Sequence, residues 1–115
     1  MNSATVLIVE DEDGIRELMR LFLVKKGYEI IEAEDGYEAM DVLSKENPDL
    51  ILLDIEMPGM SGLELCEKIR IRTKTPILFV SYRKELAYKI QGLEVGGDDY
   101  ITKPFDFTEL EARVK

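Results

Sequence analysis

Four short apolar runs in this chain each end in a residue whose chemistry suits a metal ion or a phosphate group. Val6 to Val9 leads into Glu10-Asp11, Leu50 to Leu53 into Asp54, Ile77 to Val80 into Ser81, and Tyr100-Ile101-Thr102 into Lys103-Pro104. Carboxylates are hard oxygen ligands for a divalent cation, a lysine ammonium is a point charge for an anionic oxygen, and a serine hydroxyl can donate to another. Unbroken apolar runs read as parallel strands buried on both faces, and in an open sheet of such strands the ligand site lies beyond the carboxyl ends. The four tips are therefore expected to converge on one site holding three carboxylates, a hydroxyl and an ammonium.

The segments between the runs carry helical spacing and must place those tips. Ile15, Leu18, Met19, Phe22 and Leu23 repeat as one face of a helix that closes at Lys25-Lys26-Gly27, where basic residues and a glycine suit a carboxyl-terminal end. Tyr28 to Ala33 reads as the second strand. Asp35 with Glu38, Ser61 with Glu64 and Asp106 with Glu109 have capping-box spacing and open three further helices, the first stopped by Asn47-Pro48. Another helix is expected from about Lys84 to Val95, closed by Gly96-Gly97, and the last is cut short at Lys115. Five βα units with right-handed crossovers make an α/β fold, a doubly wound sheet.

Composition narrows the chemistry. At 115 residues with 45% hydrophobic content the chain suits one domain with one core. No apolar run approaches the ~20 residues of a membrane span, and no signal-peptide pattern opens the chain, so a cytoplasmic location without membrane contact is expected. Acidic residues outnumber basic ones 24 to 15, and the formal charge of -9 opposes direct contact with nucleic acid. With no histidine there is no histidine base, catalytic triad or Cys/His zinc site, and the lone Cys66 excludes an internal disulfide. Cys66 falls at helical spacing with Leu63 and Ile69 and is expected to be a small buried hydrophobe.

Taken together, Val9-Glu10-Asp11, the run Leu52-Leu53-Asp54-Ile55-Glu56-Met57-Pro58-Gly59-Met60-Ser61-Gly62, Val80-Ser81, and the run from Gly96 to Phe105 resemble the receiver domain of two-component response regulators. The resemblance covers essentially the whole chain, each motif at the end of its strand. It implies five parallel strands in the order 2-1-3-4-5 with helices on both faces, and one receiver domain over residues 1–115, ordered from about residue 4. It also implies that Asp54 accepts a phosphoryl group from a partner sensor histidine kinase, with Mg²⁺ held by Glu10, Asp11, Asp54 and the backbone carbonyl of Glu56. Lys103 and Ser81 would contact phosphoryl oxygens, Ser81 and Tyr100 would form the switch, and the Lys103-Pro104 bond would be cis. The chemistry agrees: a phosphoryl group repels the Asp54 carboxylate unless a cation lies between them, so catalysis amounts to positioning and charge neutralisation. Lys103 is expected to serve the phosphoryl group and contribute little to the core. By the same resemblance the domain is no enzyme beyond its own phosphorylation and slow dephosphorylation.

Two positions depart from the family pattern. Tyr82 stands where a small residue is usual, and could cover the site and slow donor access, or lie on the exposed face. Arg83 and Glu56 occupy the pair of positions that influence the hydrolytic water, and could form a shielding ion pair or a plain exposed one. On the fourth helix, fifth strand and fifth helix, Lys89, Asp99, Glu109 and Arg113 match positions that pair between subunits in the winged-helix transcriptional class. A homodimer through that face is expected, with DNA contacted only by an output domain not in this chain. The rival readings are a stand-alone receiver, an aspartyl-phosphate phosphohydrolase, a receiver-like module that takes no phosphate, and a flavin domain, whose phosphate Glu10-Asp11-Glu12-Asp13 would repel.

Overall fold

The apolar runs form the strands, and they pair in parallel throughout. The computed structural model describes residues 4–83 and 85–114. Its elements alternate as β1 (Thr5–Val9), α1 (Asp13–Lys25), β2 (Glu29–Ala33), α2 (Gly36–Leu43), β3 (Leu50–Leu53), α3 (Gly62–Arg72), β4 (Ile77–Ser81), α4 (Leu86–Glu94), β5 (Asp99–Thr102) and α5 (Phe107–Val114). The five strands lie in the order β2-β1-β3-β4-β5. Val9 stands level with Ala33 and Leu53, and Ser81 with Thr102, so the carboxyl ends of neighbouring strands finish side by side.

Strand residues alternate between two apolar layers. Leu7, Val9, Ile51, Leu53, Ile77 and Phe79 pack with α2 and α3 residues such as Ala39, Leu65 and Ile69. Val6, Ile8, Leu52, Leu78, Val80 and Ile101 pack against α1 and α5 through Met19, Leu23 and Leu110. Period-two alternation within runs that are apolar on both faces is what a central parallel sheet requires. Cys66 is fully buried on the α3 side, as its spacing suggests.

The caps follow the sequence with small shifts. Asp35 accepts from the Glu38 amide and Ser61 from the Glu64 amide. Glu38 returns its carboxylate to the amide of Glu34, one residue before the position a capping box uses. β2 begins at Glu29, since the Tyr28 amide is held by Leu23 at the end of α1. β5 gains Asp99 by pairing with Leu78. α4 ends at Glu94, one residue earlier than expected; the expected start at Lys84 and the end of the chain at Lys115 lie outside the described residues.

α4 is thinly attached. Gly92 is its one buried residue and packs beside Phe79 and Tyr100. Its carboxyl-terminal end is clamped by Arg70 of α3, which donates to the carbonyls of Gly96 (2.8 Å) and Thr75 (2.7 Å) and to Asp98 (2.8 Å). Asp98 in turn accepts from the Ile77 amide at the start of β4.

Gly62 opens α3 against the backbone just past β3, where an added Cβ would stand 2.0 Å from the Asp54 carbonyl oxygen. The obstruction is backbone and cannot rotate away. Gly62→Ala should therefore lower stability by about 1–3 kcal/mol or more. Gly14→Ala, with nothing within 4 Å of the added Cβ, should raise it by roughly 0.5–1 kcal/mol. Urea denaturation of both variants checks this, and equal stabilities would contradict the close approach at Gly62.

Candidate functional site

The predicted tips do converge. Glu10 continues the sheet for one residue past β1, its amide donating to the Ala33 carbonyl, which carries its fully buried side chain beneath the loop. Asp54 follows β3 with its amide on the Val9 carbonyl and is 4% exposed. Lys103 follows β5 with its amide on the Ser81 carbonyl at 2.7 Å and is also 4% exposed. The Lys103-Pro104 bond is cis, as the resemblance implied.

The carboxylates of Glu10, Asp11 and Asp54 each place an oxygen within 4.8 Å of the others, Asp11 being the most open to solvent. The Lys103 ammonium donates to Glu10 Oε1 at 2.7 Å and lies 3.7 Å from Asp54 Oδ2. The Asp54 carboxylate accepts the Glu56 amide at 3.3 Å, and Glu10 Oε2 accepts the Glu12 amide at 3.2 Å. Burial and the Glu10 charge push the Asp54 carboxyl up to about 8, against the opposing pull of Lys103. Burial disfavours the Lys103 charge, but the Glu10 hydrogen bond and the carboxylates outweigh it and raise its pKa. Three converging hard oxygens with one ammonium beside Glu10 and Asp54 leave negative charge uncompensated, a donor set that suits a hard divalent cation.

This arrangement revises one expectation. Lys103 and Glu10 form a buried ion pair, so Lys103 belongs to the internal electrostatics as well as to the site. Removing one member of such a pair strands the other in a medium that solvates it poorly.

The remaining predicted residues lie on the rim and beyond it. Ser81 is buried and its Oγ accepts the Arg83 amide at 3.1 Å. Tyr100 is turned inward, its hydroxyl donating to the Arg83 carbonyl at 2.5 Å. The Tyr82 ring lies over Lys103, with Nζ 4.8 Å from its centroid, so it borders the site while staying 49% exposed. Arg83 and Glu56 do pair, at 2.9 Å and with both side chains about half exposed.

On the outer face, Arg113 pairs within its own chain, 3.1 Å from Asp99 and 3.7 Å from Glu109. Lys89 sits over the ring of Tyr100, 5.9 Å from its centroid. The structure thus brings together Glu10, Asp11, Asp54, Ser81 and Lys103, and leaves Lys89, Asp99, Glu109 and Arg113 on a separate surface. Arg16 was missed: it lies one turn into α1 and donates to the Glu10 carbonyl at 2.7 Å. No sequence spacing announces a contact made by a backbone carbonyl.

A family model for the response regulator receiver domain matches residues 6–115. The chain belongs to that family. A transcriptional regulatory protein of Bacillus subtilis (strain 168), ResD, is 46% identical over 114 residues, covering 99% of this chain and 48% of that protein. The chain thus spans about half the length of this curated relative. The crystal structure of a two-component response regulator from Clostridium difficile superposes with a TM-score of 0.96 at 34% identity, covering 98% of this chain and 93% of that one. The Thermotoga maritima response regulator TrrA, solved with Mg²⁺ and beryllium fluoride, superposes at 0.87 with 38% identity and 96% of each chain covered. These matches make the chain the receiver domain of a two-component response regulator, with the 2-1-3-4-5 flavodoxin-like fold. No helix among the described residues is long and apolar enough to cross a membrane.

The raised Asp54 pKa has a consequence for stability. With no divalent cation present, the folded receiver domain holds this proton more tightly than the unfolded chain, where aspartate titrates near 3.8. Unfolding therefore releases a proton between pH about 4 and about 8, and the Asp54 contribution to stability falls as pH rises through that window. Asp54→Asn should gain stability over wild type as pH rises toward 8 in EDTA, the advantage shrinking toward pH 4. Chemical denaturation across that range measures it, and a pH-independent difference would mean that Asp54 holds no such proton.

Proposed function

We propose that this receiver domain takes a phosphoryl group onto Asp54 from the phosphohistidine of a partner sensor kinase, in a reaction that needs Mg²⁺. The observation that carries the reading is the buried Asp54 carboxylate, 3.7 Å from the Lys103 ammonium and converging with Glu10 and Asp11. An Asp54 oxygen attacks phosphorus as the phosphorus–nitrogen bond to the donor histidine breaks, and the electron pair leaves with the imidazole. Glu10, Asp11, Asp54 and the Glu56 carbonyl would hold the cation, which supplies positive charge between the carboxylate and the incoming phosphoryl oxygens. Lys103 neutralises a second oxygen. Ser81, whose Oγ accepts from Arg83, keeps its hydroxyl hydrogen for a third.

The domain acts as a switch and not as a turnover enzyme: it forms one acyl phosphate and loses it slowly. Ser81 and Tyr100 both bond the backbone of Arg83, so a shift of Ser81 toward the phosphoryl group changes how the β4–α4 loop sits on Tyr100. The Arg83–Glu56 pair joins the residues two past Ser81 and two past Asp54, and there would shield the acyl phosphate from water. The ResD relative, a transcriptional regulatory protein, supports an output in transcription; in this reading the protein is cytoplasmic and a winged-helix domain outside this chain would bind the DNA.

A small phosphodonor with Mg²⁺ should add one phosphoryl group by intact mass, and neither Asp54→Asn nor a chelated sample should gain it. Tyr82→Ala should gain it faster if the ring gates access. Modification of Asp54→Asn at the wild-type rate would remove Asp54 from the mechanism, and continual release of phosphate from the donor would favour a hydrolase.

Output runs through a homodimer on α4, β5 and α5. Leu86, Ile90 and Leu93 expose an apolar stripe on α4, at 70%, 46% and 50%, which supplies the adhesive part. Around it, Lys89 with Glu109 and Asp99 with Arg113 pair across a two-fold axis, each pair occurring twice. Because Arg113 already pairs with its own Asp99 and Glu109, dimerisation exchanges contacts and each pair adds only about 0–1 kcal/mol. Arg113→Glu should raise the dimer dissociation constant of beryllium fluoride-activated protein, Asp99→Arg added to it should restore part of the loss, and high salt should blunt both effects. Sedimentation measures all three. A monomeric activated wild type would rule this interface out.

A further inference from the structure

Arg16 is a cation held almost inside an acidic cluster. Its side chain is 12% exposed, and its guanidinium reaches four acceptors on three segments. Nη1 donates to the Glu10 carbonyl at 2.7 Å, Nη2 to Asp13 at 2.6 Å and Nε to Glu32 of β2 at 3.2 Å, with Glu34 3.7 Å away. The Glu10 carbonyl belongs to the peptide unit joining the two adjacent candidate ligands. Glu10 turns its side chain inward to Lys103, and Asp11 follows with its carboxylate on the more open side of the same cluster. The orientation of that peptide plane decides where the Asp11 side chain leaves the backbone. The preceding peptide is held by the Glu10 amide on Ala33, and the carbonyl of the Glu10-Asp11 peptide itself is held by Arg16.

We propose that Arg16 is a positioning residue for the divalent-cation site, fixing the Glu10-Asp11 peptide so that both carboxylates point at the ion. The inference rests on the reading of Glu10, Asp11 and Asp54 as cation ligands. A guanidinium suits the task because its donors form a rigid planar fork. Asp13 and Glu32 orient that fork, and it has a donor left for the carbonyl. A lysine ammonium keeps the charge without the fork.

Positioning and plain charge predict opposite signs. As a charge alone, Arg16 repels a nearby cation, and its removal should tighten Mg²⁺ binding. As a positioning residue it preorganises the ligands, and its removal should weaken binding, by roughly tenfold for a group that orients metal ligands.

The test is titration of the intact domain with Mg²⁺ by calorimetry, for wild type, Arg16→Gln and Arg16→Lys, with circular dichroism and thermal midpoints in EDTA to establish folding. Both variants should bind Mg²⁺ about tenfold more weakly, and phosphorylation by a small donor should return to near the wild-type rate at saturating Mg²⁺, because Arg16 touches no reacting atom. Unchanged or tighter Mg²⁺ binding in folded Arg16→Gln, or wild-type affinity in Arg16→Lys, would reduce Arg16 to a charge and overturn the inference alone. A phosphorylation defect that excess Mg²⁺ does not correct would overturn it too. Failure of wild type to bind Mg²⁺ would overturn both this inference and the cation site beneath it.

Discussion

Three carboxylates within 4.8 Å of one another repel, and the carboxyl-terminal end of the sheet is organised around that repulsion. Parallel pairing brings the ends of β1 and β3 level, so Glu10 and Asp54 stand side by side whatever their charge. Lys103 answers part of the repulsion by binding Glu10 at 2.7 Å, and Asp54 answers another part by holding its proton up to about pH 8. In the proposed mechanism this imbalance provides the affinity: a divalent cation relieves repulsion that the folded backbone cannot, and so replaces the proton on Asp54. Gly62 completes the constraint: lacking a Cβ it can pack against the Asp54 carbonyl, and its amide holds the loop after β3 through the Ile55 carbonyl.

The parts legible in the sequence are those governed by periodicity and by strand ends. Uninterrupted runs such as Leu50 to Leu53 can be buried only between two helical layers, and a polar residue ending such a run must lie at the edge of the sheet. Asp54, Ser81 and Lys103 are placed by that rule, and the caps at Asp35 and Ser61 by the spacing of each to a glutamate three residues on. Two kinds of contact left no trace in the pattern. Arg16 and Arg70 bind backbone carbonyls of Glu10, Gly96 and Thr75, and carbonyls carry no sequence identity. The partners of Lys103 and Arg113 depend on which of several nearby carboxylates is closest. That was not legible: Lys103 proved to be a buried partner of Glu10, and Arg113 proved already paired within its own chain.

The rim joins the site to the outer face through one short segment. The Arg83 amide binds Ser81, its carbonyl binds the Tyr100 hydroxyl and its guanidinium binds Glu56. Lys89 lies over the ring of Tyr100, so the side chain that anchors the loop on the inside carries a cation of the proposed dimer face on the outside. An exposed ion pair such as Arg83–Glu56 is worth little energy. Its place in this chain of contacts is geometric.

The uneven attachment of α4 determines how the helix can respond. Near Gly96 it is riveted by a guanidinium that also binds Asp98 and Thr75, and at Gly92 it rests on two aromatic rings through a residue with no side chain. Toward Leu86 the contacts give way to open solvent. A beam fixed at one end and loaded at the other pivots; it does not slide. In the proposed switch, a displacement of the β4–α4 loop would therefore be largest at Leu86 and die away toward the rivet, and the apolar stripe from Leu86 to Leu93 would tilt as one rigid blade. The end of the helix nearer the site would thus be the compliant one, while its stiff end stays tied through Arg70 and Asp98 to the start of β4.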